Sequence, residues 1–150
     1  MLVSKAISKK CQYALRAVFE LAWRGSKDTV KIQHIAVSQS IPYRFLEVIM
    51  ADLKQGGFVQ SIRGNKGGYA LSRPASQIAV GEVIAFIAGD FTEPDMQEKH
   101  LLSKVGDYAF NKLLERASNA VSSVYDDTTF ADLIQEELLL KRHYIPNYAI

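Results

Sequence analysis

The residues that could carry chemistry are gathered in one glycine-rich, basic stretch, Arg63-Gly64-Asn65-Lys66-Gly67-Gly68-Tyr69. Runs with β-branched and aromatic residues flank it at 58–62 and 69–72, and its glycines give the backbone the freedom that a hairpin tip requires. Arg63 and Lys66 would then stand on a small tip that can reach a phosphate backbone or a narrow minor groove. Hairpins without a ligand can also carry such turns, so the stretch alone leaves both interpretations open.

Enzymatic interpretations have less support. Phosphate loops of nucleotide enzymes lead from a strand into a helix, whereas this stretch leads into a second strand and then Pro74. The sequence contains no Ser/His/Asp or Cys/His constellation and no HxxxH pattern, and it has three scattered histidines, His34, His100 and His143. We therefore predict that the protein is not an enzyme.

The elements that must position the basic stretch are three predicted helices upstream of it. The apolar spacing indicates a helix over 8–24 that ends at Gly25, and a short helix around 32–36. A polar turn at 38–40 and Pro42 then introduce a third helix, which runs to Gln55. Its predicted apolar face is Leu46, Ile49, Met50 and Leu53, and its opposite side carries Tyr43, Arg44, Glu47, Ala51 and Lys54. Helix, turn, helix and wing in this order predict a winged helix-turn-helix, whose third helix reads the major groove of DNA.

The charge distribution agrees with a polyanionic partner. Residues 1–77 contain 12 Lys and Arg against 4 Asp and Glu, a net +8, while residues 78–150 contain 6 against 12, a net −6. The basic half would meet double-stranded DNA, and the acidic half would face away from it. No apolar run is long enough for a membrane span, and a single cysteine fits a reducing compartment, so we expect a cytoplasmic protein.

The acidic half has its own predicted organisation. Residues 78–87 read as a fourth, well-buried helix that ends at Gly89, and the polar segment 90–99 reads as a loop or linker. Thr129 and Asp132 have capping-box spacing at the start of a last helix, and the aromatic tail 144–148 shows no helical pattern. A helical stripe extends over 98–124, roughly 40 Å, through Leu102, Val105, Ala109, Leu113, Ala117, Ala120 and Val124.

That stripe is too long for a small winged domain to cover. The same helix of a second copy would cover it and give a homodimer through residues 98–124, although packing against its own winged domain is the alternative. The predicted fold is therefore mainly α with a small β-hairpin wing. Residues 1–89 would form the winged helix-turn-helix DNA-binding domain, and residues 90–150 the linker, long dimerisation helix and C-terminal helix and tail.

Four segments in this order closely resemble the Rrf2 family of bacterial transcription regulators: SKKCQYALR at 8–16, YRFLE at 43–47, RGNKGGYAL at 63–71 and IAVGEVI at 78–84. The resemblance implies a homodimeric repressor or activator on a roughly palindromic operator, with the third helix in the major groove and the wing in the minor groove. By the same resemblance, the recognition-helix positions are Tyr43, Arg44 and Glu47, and the wing positions are Arg63, Asn65 and Lys66. Phe45 stands where the family often has Tyr, and Cys11 where it usually has Gly.

The sequence departs from the family in the segment that binds the cofactor used for sensing. Many members bind an iron–sulfur cluster through three cysteines in the segment that is 90–104 here, and this segment has none. We therefore expect no cofactor. The alternatives left open are control by a protein partner such as an enzyme of cysteine synthesis, a small-molecule effector, and a cluster or redox signal that uses Cys11 with His34 or His100.

Overall fold

The computed structural model of the chain describes residues 7–25, 28–89 and 104–143. Within these ranges the fold is mainly helical with one two-stranded hairpin, which confirms the predicted class. The elements are α1 (Lys9–Arg24), α2 (Ile32–Gln39), α3 (Tyr43–Gln55), β1 (Val59–Ile62), β2 (Gly68–Leu71), a short 3-10 helix (Ala75–Gln77), α4 (Val80–Ala88), α5 (Asp107–Asp127) and α6 (Phe130–His143).

Helix α1 begins and ends where the sequence predicts. The Ser8 hydroxyl accepts a hydrogen bond from the Cys11 N–H at 3.1 Å, and Gly25 stops the helix with a φ of 86°. Its apolar stripe is buried in the central core through Ala14, Ala17, Val18 and Leu21. Helix α1 is therefore the element on which the others are assembled.

The helix-turn-helix differs from the prediction only at the turn. Helix α2 continues to Gln39, and the chain reverses at Ser40, which adopts a left-handed φ of 53°. Pro42 directly precedes α3 and does not lie inside its first turn. The predicted apolar face of α3 is confirmed, because Leu46, Ile49, Met50 and Leu53 are at most 1% exposed.

The hairpin has antiparallel register from Val59 opposite Leu71 to Ile62 opposite Gly68. Val30, in the connection between α1 and α2, extends it, since Val30 and Tyr69 exchange two backbone hydrogen bonds of 2.8 Å. A Cβ atom at Gly68 would lie 2.6 Å from the Val30 carbonyl oxygen, so this close approach requires glycine. The wing is thereby attached to the helical core on the side of α1 and α2.

The expectation of a well-buried helix over 78–87 is wrong in part. Helix α4 begins at Val80, because the chain at Ala79 instead forms an isolated antiparallel bridge with Thr129. Val80, Gly81 and Val83 are buried, whereas Glu82, Ala85 and Phe86 are exposed. Hydrogen bonds from Val80 N–H to the Thr128 carbonyl (2.8 Å) and from Phe130 N–H to the Ile78 carbonyl (3.1 Å) support the bridge. Glu82, on the exposed side of this helix, forms an ion pair with Arg73 at 3.3 Å.

The long helix starts later than predicted. Helix α5 begins at Asp107, after Gly106 with a φ of 106°, and continues to Asp127, so it is about 30 Å long. Val105 precedes it and is fully exposed, and Leu102 lies outside the described residues. Helix α5 buries none of its residues. The described part of the chain therefore leaves its apolar stripe uncovered, contrary to the alternative in which it packs along its own winged domain.

The last helix returns to the core. The capping box is confirmed: Thr129 N–H donates to the Asp132 carboxylate at 2.9 Å, and Asp132 N–H donates to the Thr129 hydroxyl at 3.1 Å. Phe130 is 0% exposed within the core that α1 and α3 form, and α6 reaches α1 through Lys141, whose ammonium lies 4.5 Å from the Trp23 ring.

No helix among the described residues has the length and apolar character to cross a membrane. The predicted linker at 90–99 and tail at 144–148 lie outside the described ranges.

Candidate nucleic-acid interface

The outer face of α3 is the first part of the candidate interface. Arg44 and Glu47 are exposed there, and Tyr43 is 42% exposed. The buried face of the same helix fixes its rotation, because four core residues leave only one side available to a ligand. The structure thus brings the three helix residues of the sequence-derived site to one accessible surface.

Tyr43 and Glu47 form a pair one helical turn apart. Partial desolvation raises the pKa of Tyr43, and the negative charge of Glu47 together with a hydrogen bond to its carboxylate raises it further. The Glu47 carboxylate is exposed one turn from this phenol and keeps acceptor capacity towards the outside.

The wing tip is the second part. Residues Arg63 to Lys66 are all exposed, which includes Asn65, so the structure also brings the three wing residues together. Gly67 N–H donates to the Gly64 carbonyl at 2.8 Å and closes the tip. The Thr29 hydroxyl donates to the Lys66 carbonyl and anchors it from the α1–α2 connection. The cations of the wing are therefore presented on an ordered loop.

A direct contact joins the wing to the recognition helix. The Lys54 ammonium, near the end of α3, donates to the Ser61 hydroxyl of β1 at 2.8 Å. In addition, Phe58 N–H donates to the Leu53 carbonyl at 3.0 Å, so the turn between α3 and β1 is closed as well. These two hydrogen bonds connect the wing to α3.

A basic groove borders the recognition helix, and sequence reasoning missed it. This α1 groove has a volume of about 390 Å³ and is lined by Lys9, Gln12, Tyr13, Arg16, Ser38, Gln39 and Ser40. Tyr13 stacks on Phe45 of α3 with 6.5 Å between ring centroids, which places the groove beside the reading face. Two cations and three hydroxyls without a lining carboxylate suit a DNA phosphate. The i, i+7 spacing of Lys9 and Arg16 on α1 was a signal that could have indicated it.

A buried carboxylate connects α1 to the end of α2. Glu20 is 4% exposed, accepts from the Gln39 amide at 2.7 Å and pairs with Arg24 at 3.0 Å. Burial acts to raise the pKa of Glu20, but the hydrogen bonds from Gln39, Arg24 and Ser38 and the charge of Arg24 lower it overall. Glu20 is therefore ionised at neutral pH and fixes the turn that precedes the recognition helix.

Cys11 is a core residue in this structure. Its side chain is 1% exposed, and burial raises the pKa of the thiol, which disfavours the thiolate that binds metals. His34, one suggested co-ligand, is exposed on α2, and His100 lies outside the described residues. The described ranges gather no group of three or more His, Cys, Asp or Glu side chains able to hold a metal ion.

Comparison with known proteins gives this geometry a context. The model of the Rrf2 family, described as iron-dependent transcriptional regulators, matches residues 7–136. A helix-turn-helix-type transcriptional regulator of Mycobacterium tuberculosis is 33% identical over 128 residues, which cover 85% of this chain and 80% of the relative. CymR of Bacillus subtilis is 31% identical over 127 residues, which cover 85% and 88% respectively.

Solved structures agree with the sequence matches. The structure of CymR, the global cysteine regulator of B. subtilis, superposes with a TM-score of 0.76 at 30% identity, covering 87% of this chain and 96% of CymR. IscR of T. potens gives a TM-score of 0.72 at 28% identity, with 87% of both chains covered. Family model, relatives and fold therefore agree: the chain belongs to the Rrf2 family and is a DNA-binding transcriptional regulator of the winged-helix type.

Proposed function

We propose that this regulator binds a roughly palindromic operator as a homodimer, with one α3 and one wing of each copy on each half-site. The observation that carries the proposal is the exposure of the outer face of α3 and of the wing tip on adjoining elements of one chain, which the Phe58 N–H to Leu53 carbonyl and Lys54–Ser61 hydrogen bonds connect. Helix α3 would enter the major groove with Tyr43, Arg44 and Glu47, and the wing would enter the minor groove with Arg63, Asn65 and Lys66.

The roles of these residues follow from their chemistry. Arg63, Lys66 and the α1 groove cations Lys9 and Arg16 would neutralise phosphates, and the wing would also occupy a narrow minor groove. Glu47 can accept from cytosine N4 in the major groove, and Arg44 can donate to guanine. Affinity would thus come mainly from the wing and α1, and sequence choice mainly from α3.

Helix α5 supports the homodimer. Phe110, Leu113, Leu114 and Val124 are 38–65% exposed, and the periodicity of the helix places them on one side together with Ala117 and Ala120. A second copy of the same helix offers a complementary apolar surface through a two-fold axis. The division of the chain into a DNA-binding part up to residue 89 and a dimerisation part from 90 onward belongs to the same proposal. Occupation of an operator by such a dimer would repress transcription, in the cytoplasm where bacterial DNA lies.

The iron named in the family description does not fit this chain as a cysteine-ligated cluster. The sequence has one cysteine, and that thiol is buried in α1 with a raised pKa. We therefore propose regulation without an iron–sulfur cluster.

A protein partner is the second candidate for control. Leu138, Leu139 and Leu140 of α6 are 39–58% exposed in the acidic half of the chain, and the described residues leave them uncovered. A metabolic enzyme that docks there would act on α1 through the Lys141–Trp23 contact. Co-purification of such an enzyme with wild type, lost with Leu139→Glu, would favour this route.

The principal test is selection of duplexes from a randomised library, followed by light scattering of the complex. We expect enriched sequences with two-fold symmetry and two chains on each duplex. One chain on an asymmetric sequence would contradict the homodimer, and failure to enrich any sequence would contradict the placement of α3 in the major groove.

A further inference from the structure

Two large apolar side chains, Phe45 and Val48, lie on the exposed side of α3 and were not among the predicted recognition residues. Phe45 is 61% exposed and Val48 is 56% exposed. At 3.6 residues per turn, Val48 lies roughly 150° around the helix axis from the centre of the buried face. Val48 therefore points away from the core, next to Arg44, and into the space that a DNA groove would occupy.

The contrast with the other apolar residues of α3 shows that these two positions are unusual. Leu46, Met50 and Leu53 are 0% exposed on the same helix. Exposed apolar area is unfavourable in water, and a cluster of it beside charged residues is typical of a binding surface. Phe45 and Val48 are three positions apart, so they form one continuous apolar row.

Phe45 is also held in place from the side. Its ring stacks on Tyr13 of α1 at 6.5 Å and 29°, and the Lys9 ammonium lies 5.4 Å from the Tyr13 ring. These contacts restrict the ring but leave most of its surface open. A side chain that is ordered yet exposed loses little entropy when a ligand covers it.

The major groove offers one apolar group among its hydrogen-bonding edges, the C5 methyl of thymine. We propose that Val48 and Phe45 contact thymine methyl groups in each operator half-site and so select A·T pairs at those positions. This inference rests on the proposed entry of α3 into the major groove. It adds a specificity beyond the hydrogen bonds of Arg44 and Glu47, because a thymine methyl group neither donates nor accepts a hydrogen bond.

Methyl removal tests the inference on the full-length protein. In a tightly bound duplex from the library selection, each thymine is replaced in turn by deoxyuridine, which lacks only the methyl group. We expect wild-type affinity to fall about fourfold at one or two thymines of each half-site, as for one buried methyl group, and to stay unchanged at the others.

The side chain responsible is identified by repeating the scan with variants. Val48→Ser and Phe45→Ala should each abolish the methyl dependence at the thymine that the side chain contacts. Val48 is the safer position, because its exposure makes the substitution harmless to the fold. Val37→Ser is the matched control, since Val37 is 81% exposed on α2 and should leave every methyl effect in place.

The outcomes separate this inference from the proposed function. A duplex that is bound tightly without any methyl effect overturns the inference and leaves DNA reading by α3 intact. Methyl effects that persist in both variants overturn it as well. The absence of any enriched duplex would instead contradict the proposed function.

Discussion

Helices α3 and α5 are both amphipathic, but the apolar face of α3 is buried whereas that of α5 is exposed. Helix α3 buries Leu46, Ile49 and its other core residues almost completely inside its own domain, whereas none of the 21 residues of α5 is fully buried. The apolar face of α3 is thus covered by its own chain, whereas that of α5 is available to a second copy in the proposed homodimer. Under this proposal, recognition and assembly would be divided between the basic and acidic halves of the molecule.

The largest effect is expected at the apolar stripe of α5. Leu113→Glu places a charge at the centre of the proposed interface, so the dimer should dissociate and operator affinity should fall by at least about 100-fold through loss of the second half-site. Sedimentation or light scattering and a binding titration measure both effects. Tyr108→Glu is the control, because Tyr108 is 66% exposed, against 55% for Leu113, and lies on another side of the helix. A folded, monomeric wild-type protein would refute the division of roles.

The next effect concerns sequence choice by α3. Glu47→Ala removes the proposed acceptor for cytosine N4, so discrimination at one base position of each half-site should fall about tenfold. Ranking of a randomised operator library by wild type and variant measures this change. Glu115→Ala on α5 is the charge-matched control. An unchanged ranking for Glu47→Ala would exclude Glu47 from base reading.

A smaller and uniform effect is expected from the wing. Lys66→Ala should weaken binding to all duplexes alike and reduce the slope of log affinity against log salt by about 0.9, the value of one phosphate contact. Titrations at several salt concentrations measure the slope. Lys112→Ala, an exposed lysine of α5, should leave it unchanged. Loss of affinity for a single sequence only would indicate that Lys66 reads a base.

The smallest effect is expected at Cys11. Cys11→Ser should leave operator binding unaltered before and after mild oxidation, with a loss of about 1–2 kcal/mol in the free energy of unfolding from the buried hydroxyl. Anaerobically purified wild-type protein should be colourless. Visible absorbance with stoichiometric iron and sulfide that disappears in Cys11→Ser would make this thiol a ligand and overturn the cluster-free proposal.

Much of the DNA-binding half was accessible from the sequence because its signals are local. The limits of α1 follow from Ser8 and Gly25, and the end of α3 follows from Gly56 and Gly57. The wing follows from Gly64 and the neighbouring glycines. Hydrophobic periodicity then identified the buried face of α3, since one side of a helix this short must cover a single core.

The errors came from contacts between distant parts of the chain. The delayed start of α4 depends on the Ala79–Thr129 bridge, which joins residues far apart in sequence. The apolar periodicity also could not show that the chain is not helical at residues 104–106, directly before α5. Phe45 was noted only as standing where the family often has Tyr, and Val48 was assigned no role, because polar residues are the expected readers. The α1 groove exists only once α1 lies beside the turn.

The corner between α4 and α5 has a consequence for the operator. The Ala79–Thr129 bridge fixes this corner, and a Cβ atom at Gly81 would collide with the Asp126 carboxylate, so the two helices cannot pivot freely. In a dimer joined through α5, each recognition helix would stand at a set distance and angle from the two-fold axis. The dimer would then bind only operators whose half-sites have one fixed spacing. Half-sites moved apart by about five base pairs would face opposite sides of the duplex, and the dimer could not contact both of them.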